Sequence, residues 1–189
     1  VMLQRRALVD VDGILWDFHN PLRIFLRDNF GAPDELPTHW DWYKDVGVTD
    51  AEFSEGIHHT HIHQTMMPGG SPPFNGAQEL IHTLKRLGYD VVIASHRRGT
   101  DASMLARWLL EWELIPFAGV YAGPDKHFII DPAGIVIDDA PITIQAAIRA
   151  GCTQVHTLAY PWNEYEKVQY GCALYHRHPN LMELTRSLR

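Results

Sequence analysis

The segment at residues 7–18 constrains the fold more than any other part of the chain. It is a short apolar run that ends in Asp10 and Asp12, which Gly13 follows directly. A buried strand that ends in carboxylates places them at the carboxyl edge of a sheet, where open α/β folds bind ligands. Two carboxylates this close repel each other unless a cation or a shared proton offsets the charge. The segment therefore predicts either a metal beside a reactive carboxylate or an ordinary strand-end turn.

Length and charge narrow the class of protein. The 189 residues give room for one α/β domain with a modest insertion. The formal net charge of -7 disfavours a general attraction to nucleic acid or to an anionic membrane surface. Cys152 and Cys172 do not make a disulfide framework, and no apolar run approaches the length of a membrane span. We therefore expect a cytoplasmic protein with no membrane contact, and nucleic acid is a disfavoured partner.

Helical and extended patterns alternate from Asn75 onward. Apolar runs at residues 90–95, 119–122, 134–139 and 155–158 predict strands, and helical patterns separate most of them. Such alternation predicts right-handed crossovers and a mostly parallel sheet flanked by helices. The fold class is therefore α/β, of the Rossmann-like kind.

Residues 19–74 interrupt this alternation. Asn20 can cap a helix that begins with Pro21 and ends at Gly31, and a capping box at residues 49–52 opens a second helix. We interpret the stretch as a small helical cap inserted after the first strand. The predicted domains are an α/β core of residues 1–18 and 75–189 and a cap of residues 19–74.

Polar side chains end three of the predicted strands. Asp10 and Asp12 end the first strand, Ser95 ends the second, and the acidic pair at residues 138–139 ends another. Because the carboxyl ends of parallel strands lie at the same edge of a sheet, we expect four carboxylates to converge there. Lys126 precedes the second acidic pair and would bring a positive charge to the same place.

These residues resemble, in order, the four motifs of the haloacid dehalogenase-like (HAD) phosphohydrolase superfamily. The motifs are Asp10-Val11-Asp12-Gly13, Ser95, Lys126 and Asp138-Asp139. Within the superfamily, the segments at 12–18, 137–141 and 160–163 are similar to those of the 5′(3′)-deoxyribonucleotidases. The resemblance implies a HAD-type sheet with a cap of the C1 type.

The resemblance also implies a role for each motif. Asp10 would attack phosphorus and form an aspartyl-phosphate. Asp12 would protonate the leaving alcohol and then deprotonate the water that hydrolyses this intermediate. Ser95 and Lys126 would hold the phosphoryl oxygens. Mg²⁺ would be bound by Asp10, Asp12 through its backbone carbonyl, Asp138 and Asp139, the last as a further ligand or a hydrogen-bonding partner of one.

The candidate substrate contacts are mainly aromatic. Phe18 comes directly after the first motif and is expected to line the pocket. Trp40, Trp42 and Tyr43 lie in the predicted cap, where similar aromatics of the nucleotidases form a wall against the base. The alternative is that these three residues form the small core of the cap.

The chain departs from the nucleotidase pattern after Ser95. His96, Arg97 and Arg98 follow where the family has a small residue and often a proline. Two interpretations stay open. These side chains contact the substrate, with His96 as the candidate, or they form the solvated start of the next helix.

Four histidines, His58, His59, His61 and His63, crowd the second predicted helix. His59 and His63 are four residues apart and could share a metal ion. No cysteine or acidic residue is spaced to complete a zinc site, so we favour histidines that face the active-site cleft. Whether the group binds a metal is left open.

Together these inferences predict a Mg²⁺-dependent phosphomonoesterase, a 5′-nucleotidase that hydrolyses deoxynucleoside monophosphates. One alternative is a HAD phosphatase for another small phosphate ester, such as a sugar phosphate or a polynucleotide end. Another is a non-catalytic protein that binds phosphorylated ligands, although the presence of Asp10, Asp12 and Lys126 favours catalysis. Formation of a homodimer is left open.

Overall fold

A parallel sheet of six strands forms the centre of the computed structural model, which describes residues 5–66, 71–97, 101–132, 134–152, 154–164 and 175–188. The strands are β1 (Arg6–Val9), β2 (Asp90–Ser95), β3 (Gly119–Ala122), β4 (Ile135–Ile137), β5 (Gln154–Leu158) and β6 (Tyr175–His178). Their order across the sheet is β3-β2-β1-β4-β5-β6, and every neighbouring pair is parallel. The predicted α/β class is confirmed, and β6 is a strand that the sequence patterns did not predict.

Seven helices accompany the sheet in the described ranges. Three of them lie within residues 19–74: α1 (His19–Phe30), α2 (Trp42–Asp45) and α3 (Asp50–Met66). The other four are α4 (Ala77–Arg86), α5 (Ala102–Glu111), α6 (Pro141–Arg149) and α7 (Leu181–Ser187). None of these described helices has the length and apolar character needed to cross a membrane.

Local sequence signals determine where the inserted helices begin and end. The Glu52 carboxylate accepts a hydrogen bond from the Thr49 N–H (2.8 Å), and the Thr49 hydroxyl accepts one from the Glu52 N–H (3.3 Å). This is the predicted capping box of α3. Gly31 ends α1 in the left-handed conformation, as predicted. The prediction that Asn20 caps α1 is wrong. The helix already begins at His19, and Asp17 Oδ1 accepts a hydrogen bond from the Asn20 N–H (3.2 Å).

The apolar core covers both faces of the sheet because successive side chains along a strand point to opposite faces. On β1, Ala7 and Val9 belong to the larger core cluster, which includes side chains of α4, α5 and α7. Leu8 belongs to a smaller cluster with residues of α6. This two-sided burial fixes β1 firmly in the middle of the sheet.

The strand order reverses its direction between β1 and β4, which are neighbours in the middle of the sheet. Strands β1 to β3 build one half of the sheet, and β4 to β6 build the other. In open α/β sheets, a crevice forms at this point outside the carboxyl ends of the strands, and ligands bind there. Asp10 follows β1, and its N–H donates to the carbonyl of Ile137 at the end of β4 (2.8 Å). The first motif therefore lies at the crevice.

Candidate active site

Three carboxylates meet where β1 and β4 end. Asp10, Asp138 and Asp139 are buried, and each offers one oxygen, all within 4.8 Å of one another. Burial raises the pKa of Asp10 well above its usual range, in spite of Lys126 and with a contribution from Asp138. Burial also raises the pKa of Asp139. A cation would stabilise the ionised forms, so this acidic triad fits a divalent metal that prefers oxygen ligands.

Lys126 neutralises part of the charge of the acidic triad. Its Nζ donates to Asp10 Oδ1 (2.7 Å) and to Asp138 Oδ2 (2.8 Å), and its side chain is fully buried. Burial alone would lower the pKa of Lys126, but the two carboxylates raise it, so the ammonium group stays charged. An ammonium group has three N–H donors, and the third can serve a phosphoryl oxygen.

The Asp12 carboxylate lies outside the acidic triad and contacts Arg97, Ser95 and His61 instead. Its Oδ1 accepts from Arg97 Nη2 (2.7 Å), and its Oδ2 accepts from Ser95 Oγ (3.0 Å) and lies 3.0 Å from His61 Nε2. Burial would raise the pKa of Asp12, but Arg97 and His61 hold it well below its usual range. The carboxylate is therefore ionised, and it accepts hydrogen bonds on both oxygens.

The segment after Ser95 is partly buried. Arg97 is only 4% exposed, and its Nε donates to Ser95 Oγ (2.9 Å) while its Nη2 also donates to Gln64 Oε1. A solvated helix start is therefore the wrong interpretation for Arg97. His96 is half-buried, and burial followed by the charge of Lys126 lowers the pKa of His96 to about 4. Arg98 lies outside the described residues.

Gly13 and His19 lie next to the Asp139 carboxylate. The sequence patterns did not predict the contact with His19. The ring Nε2 of His19 lies 3.2 Å from Asp139 Oδ2. Gly13 has a φ of 77°, and a Cβ there would lie 2.5 Å from the same oxygen. Only glycine combines this backbone conformation with such a close approach. The hydroxyl of Tyr160 donates to the Gly13 carbonyl (2.8 Å), which ties the motif to the loop after β5.

A cavity of about 210 Å³ opens beside Asp10 and Asp12. His96 lines it, and six aromatic side chains form part of its wall: Phe18, Trp40, Trp42, Tyr43, Phe53 and Trp162. Trp40 is 44% exposed, whereas Trp42 is 6% exposed and belongs to the main core cluster. The structure thus brings the predicted substrate contacts to one cavity. Trp42 both packs in the core and lines the cavity, so its position fits either interpretation.

Trp162 completes this aromatic wall from the side of the sheet. In the sequence, Trp162 stands out only as part of the family-like segment at residues 160–163. Its ring stacks on Tyr160 with centroids 4.4 Å apart and lies 4.4 Å from the ring of His19. It also meets Trp40 edge to face at 6.4 Å. The ring of Trp162, from the segment after β5, therefore faces the ring of Trp40, from the segment before α2.

The histidines of α3 separate into different environments. Within the described ranges, the acidic triad is the only group of three ligands close enough to hold a metal ion. His61 is buried and faces Asp12, and His58 lines an adjoining cleft. His59 stacks on Phe25 at 4.3 Å, and His63 is exposed. Of the four histidines, His61 and His58 therefore face the clefts beside Asp12, as expected, whereas His59 packs on Phe25 and His63 is exposed.

Comparisons with known proteins agree on the fold. No protein-family model matches the chain, and no curated protein matches its sequence. A HAD family hydrolase from Deinococcus radiodurans, solved with bound phosphate and sodium, superposes with a TM-score of 0.66 at 17% identity. That match covers 97% of this chain and 94% of the other.

Two further solved structures match the chain end to end. A haloacid dehalogenase-like family hydrolase from Streptococcus pneumoniae gives a TM-score of 0.61 at 16% identity, with 100% of both chains covered. A predicted phosphoglycolate phosphatase from Haemophilus somnus gives 0.59 at 16% identity, again with 100% of both chains covered. At such identities the likeness concerns the fold, and the chain has the Rossmann-like α/β fold of HAD hydrolases.

Proposed function

We propose that the chain is a Mg²⁺-dependent phosphomonoesterase with Asp10 as its nucleophile. The observation that carries this proposal is the meeting of Asp10, Asp138, Asp139 and Lys126 at the switch point of a HAD-type sheet. Carboxylates and a buried ammonium group in this arrangement suit the transfer of an anionic phosphoryl group.

Asp10 attacks phosphorus and forms an aspartyl-phosphate, so that one difficult displacement becomes two easier ones. Lys126 holds the phosphoryl oxygens, and its ammonium group stabilises the charge that spreads over them. The hydroxyl of Ser95, which the resemblance assigns to the same oxygens, donates to Asp12 Oδ2 in this structure. Asp10, the Asp12 backbone carbonyl and Asp138, with Asp139 beside them, would hold Mg²⁺. The ion would supply further positive charge next to the phosphoryl group.

Asp12 serves as the acid and the base of the two steps. Its ionised carboxylate suits the second step, in which it takes a proton from the water that hydrolyses the intermediate. In the first step it must give a proton to the leaving alcohol. We expect Arg97 and His61 to stay in contact with Asp12 and to keep its carboxyl group oriented in both steps.

A deoxynucleoside monophosphate is the substrate that we favour. The support is the aromatic wall beside the nucleophile, where Trp40, Trp42 and Trp162 can pack against a base. Stacking of this kind contributes about 1–3 kcal/mol per base. Residues 19–74 then act as the cap that selects the substrate, and the cap opens and closes during turnover.

A phosphatase for sugar phosphates is the second candidate. Polar side chains of the insertion, His39 and Asp41, line the same cavity. Such groups can hydrogen-bond to the hydroxyls of a sugar.

A substrate panel tests both candidates. We would measure Mg²⁺-dependent phosphate release from deoxyribonucleoside and ribonucleoside monophosphates, sugar phosphates and 4-nitrophenyl phosphate, with the Asp10→Asn variant as the blank. Activity concentrated on deoxynucleoside monophosphates supports the first candidate, and activity concentrated on sugar phosphates supports the second. Silence across the panel, or activity that survives in the blank, contradicts the proposed function.

A further inference from the structure

We propose that α3 of the insertion supplies two positioning residues, His61 and Gln64, which hold Asp12 in the geometry needed for proton transfer. This inference rests on the proposed function, because that function gives Asp12 its role as acid and base. It adds that an inserted helix, expected to select the substrate, also completes the surroundings of a reacting group.

His61 acts on Asp12 directly. Its Nε2 lies 3.0 Å from Asp12 Oδ2, and the histidine is only 5% exposed. The ring packs against Phe18, with centroids 5.2 Å apart, so both its position and its tilt are restricted. Since Ser95 Oγ donates to the same oxygen, His61 and Ser95 together fix one side of the carboxylate.

Gln64 acts on Asp12 through Arg97. Its Oε1 accepts from Arg97 Nη2, the same nitrogen that donates to Asp12 Oδ1. Arg97 Nε is bonded to Ser95 Oγ, so three hydrogen bonds fix the plane of the guanidinium group. A planar guanidinium held in this way orients a carboxylate more strictly than a flexible ammonium group does.

The two residues approach Asp12 from one helix that is anchored to the core. They are three positions apart on α3, so they lie on the same face of the helix. Near the end of α3, the Thr65 carbonyl accepts a hydrogen bond from Arg107 Nη2 of α5 (2.9 Å). Asp12 therefore has all of its partners only when α3 packs on the core, which makes correct closure a condition for proton transfer.

The first experiment compares three single variants with 4-nitrophenyl phosphate as substrate. We expect His61→Ala and Gln64→Ala to lower kcat by about tenfold or more, since small displacements of a reacting group have such effects. Their KM should change by less than about threefold, because neither residue is assigned to substrate binding. The matched control is His63→Ala, an exposed histidine of the same helix, which should behave as the wild type.

A second experiment asks whether His61 acts through Asp12. We would repeat His61→Ala in the Asp12→Asn background and follow the first turnover by rapid mixing. An aryl leaving group needs little protonation, so a burst of nitrophenolate should remain measurable without the carboxylate. If His61 only positions Asp12, its removal should change this burst by less than about twofold, because the two effects are not additive.

Several outcomes would overturn the inference. An equal loss in both backgrounds, a change in KM alone, or no change in kcat would each show that His61 does not act through Asp12. Thermal unfolding of every variant separates misfolding from mispositioning, and His61→Gln, which keeps an N–H donor, should recover part of kcat. An inactive wild type would instead contradict the proposed function itself.

Discussion

Two clusters of ionisable side chains lie on the sheet, one at its centre and one at its β5–β6 edge. The central cluster contains the acidic triad, Asp12, Lys126 and Arg97, with charges of both signs beside a cavity. The edge cluster contains the buried His156 and His178 and the exposed His176, and the ring of His156 lies 5.1 Å from that of His176 and 5.2 Å from that of His178. The central cluster keeps charged carboxylate, ammonium and guanidinium groups away from water, whereas the edge cluster consists of imidazole rings.

The edge cluster shows how ionisable groups are buried without charge. His156 Nδ1 lies 2.9 Å from His178 Nε2, so each ring serves as the hydrogen-bonding partner of the other. Burial, and then the neighbouring histidines, lower the pKa of His156 to about 3. Neutral rings need no counter-charge. The comparison indicates that buried charge, which is costly, is kept where the proposed chemistry uses it.

Removing Lys126 should have the largest effect, because it breaks the charge balance of the central cluster. In Lys126→Met, Asp10 and Asp138 lose the ammonium group with which both of them pair, while they stay buried. We expect the free energy of unfolding to fall by about 3–5 kcal/mol. We also expect phosphatase activity to fall by about a hundredfold or more. Urea unfolding and steady-state kinetics measure the two effects.

The control for this change is Lys85→Met, which removes a half-exposed lysine at the surface. A surface ion pair contributes about 0–1 kcal/mol, so this variant should stay close to the wild type. If both lysine variants lost the same stability, the buried charge balance would not be the cause.

Crowding Asp139 should have the next largest effect. In Gly13→Ala, the new Cβ would lie 2.5 Å from Asp139 Oδ2, so the carboxylate has to move. We expect the affinity for Mg²⁺ to fall by about tenfold, because displaced ligands and their supporting contacts have effects of this size. Isothermal titration calorimetry with Mg²⁺ measures it without reference to activity.

The variant Gly88→Ala separates the effect of the close contact with Asp139 from the effect of backbone strain. Gly88 also has a positive φ, 84°, but a Cβ there meets nothing within 4 Å. Both variants should lose about 1–2 kcal/mol of stability from strain. Equal Mg²⁺ affinity in the two variants would mean that the close approach of Gly13 to Asp139 has no role in metal binding.

The aromatic wall should give a smaller and more selective effect. Trp40→Ala removes a half-exposed side of the cavity, and we expect KM for a deoxynucleoside monophosphate to rise about fivefold to tenfold. Turnover of 4-nitrophenyl phosphate should change by less than about twofold. Leu36→Ala, from the same loop and 74% exposed, is the control. Equal losses on both substrates would assign Trp40 to cap packing rather than to a base.

The edge cluster should affect stability rather than activity, and its effect depends on pH. Below pH 6.5 the unfolded chain protonates His156, whereas the folded protein does so only near pH 3. The free energy of unfolding should therefore fall as the pH drops through this window, by about 1 kcal/mol per pH unit. Urea unfolding at several pH values should give a flatter profile for His156→Gln than for the wild type.

Replacing the exposed His82 by glutamine leaves this edge untouched and serves as the control. Its profile should keep the slope of the wild type. Identical slopes for all three proteins would mean that His156 is not buried in a neutral state.

The central cluster was largely predictable from sequence because parallel strands deliver their carboxyl ends to one edge of the sheet. Asp10, Ser95 and Asp138 each follow an apolar run directly, so their meeting needs only the correct topology. The strand β6 was not predictable in the same way. Its sequence, Tyr-His-Arg-His, carries neither an apolar run nor an alternation, although it pairs fully with β5.

The partners of Asp12 were harder to predict. His61 and Arg97 are 49 and 85 residues away in sequence, and they meet Asp12 only because α3 packs against the segment after β2. A histidine-rich helix indicates ligands of some kind, but the pattern does not reveal which ring faces inward. Side-chain packing decides this, and it selects His61 while leaving His63 exposed.

The most direct test of the account is to find the phosphorylated residue. The Asp12→Asn variant would be mixed with 4-nitrophenyl phosphate and Mg²⁺, quenched in acid, and digested for mass spectrometry, with Asp10→Asn as the control. The account predicts that the peptide containing Asp10 gains the mass of one phosphoryl group and that the control gains none. Phosphate release by the wild type with no such adduct, or an adduct on another residue, would contradict it.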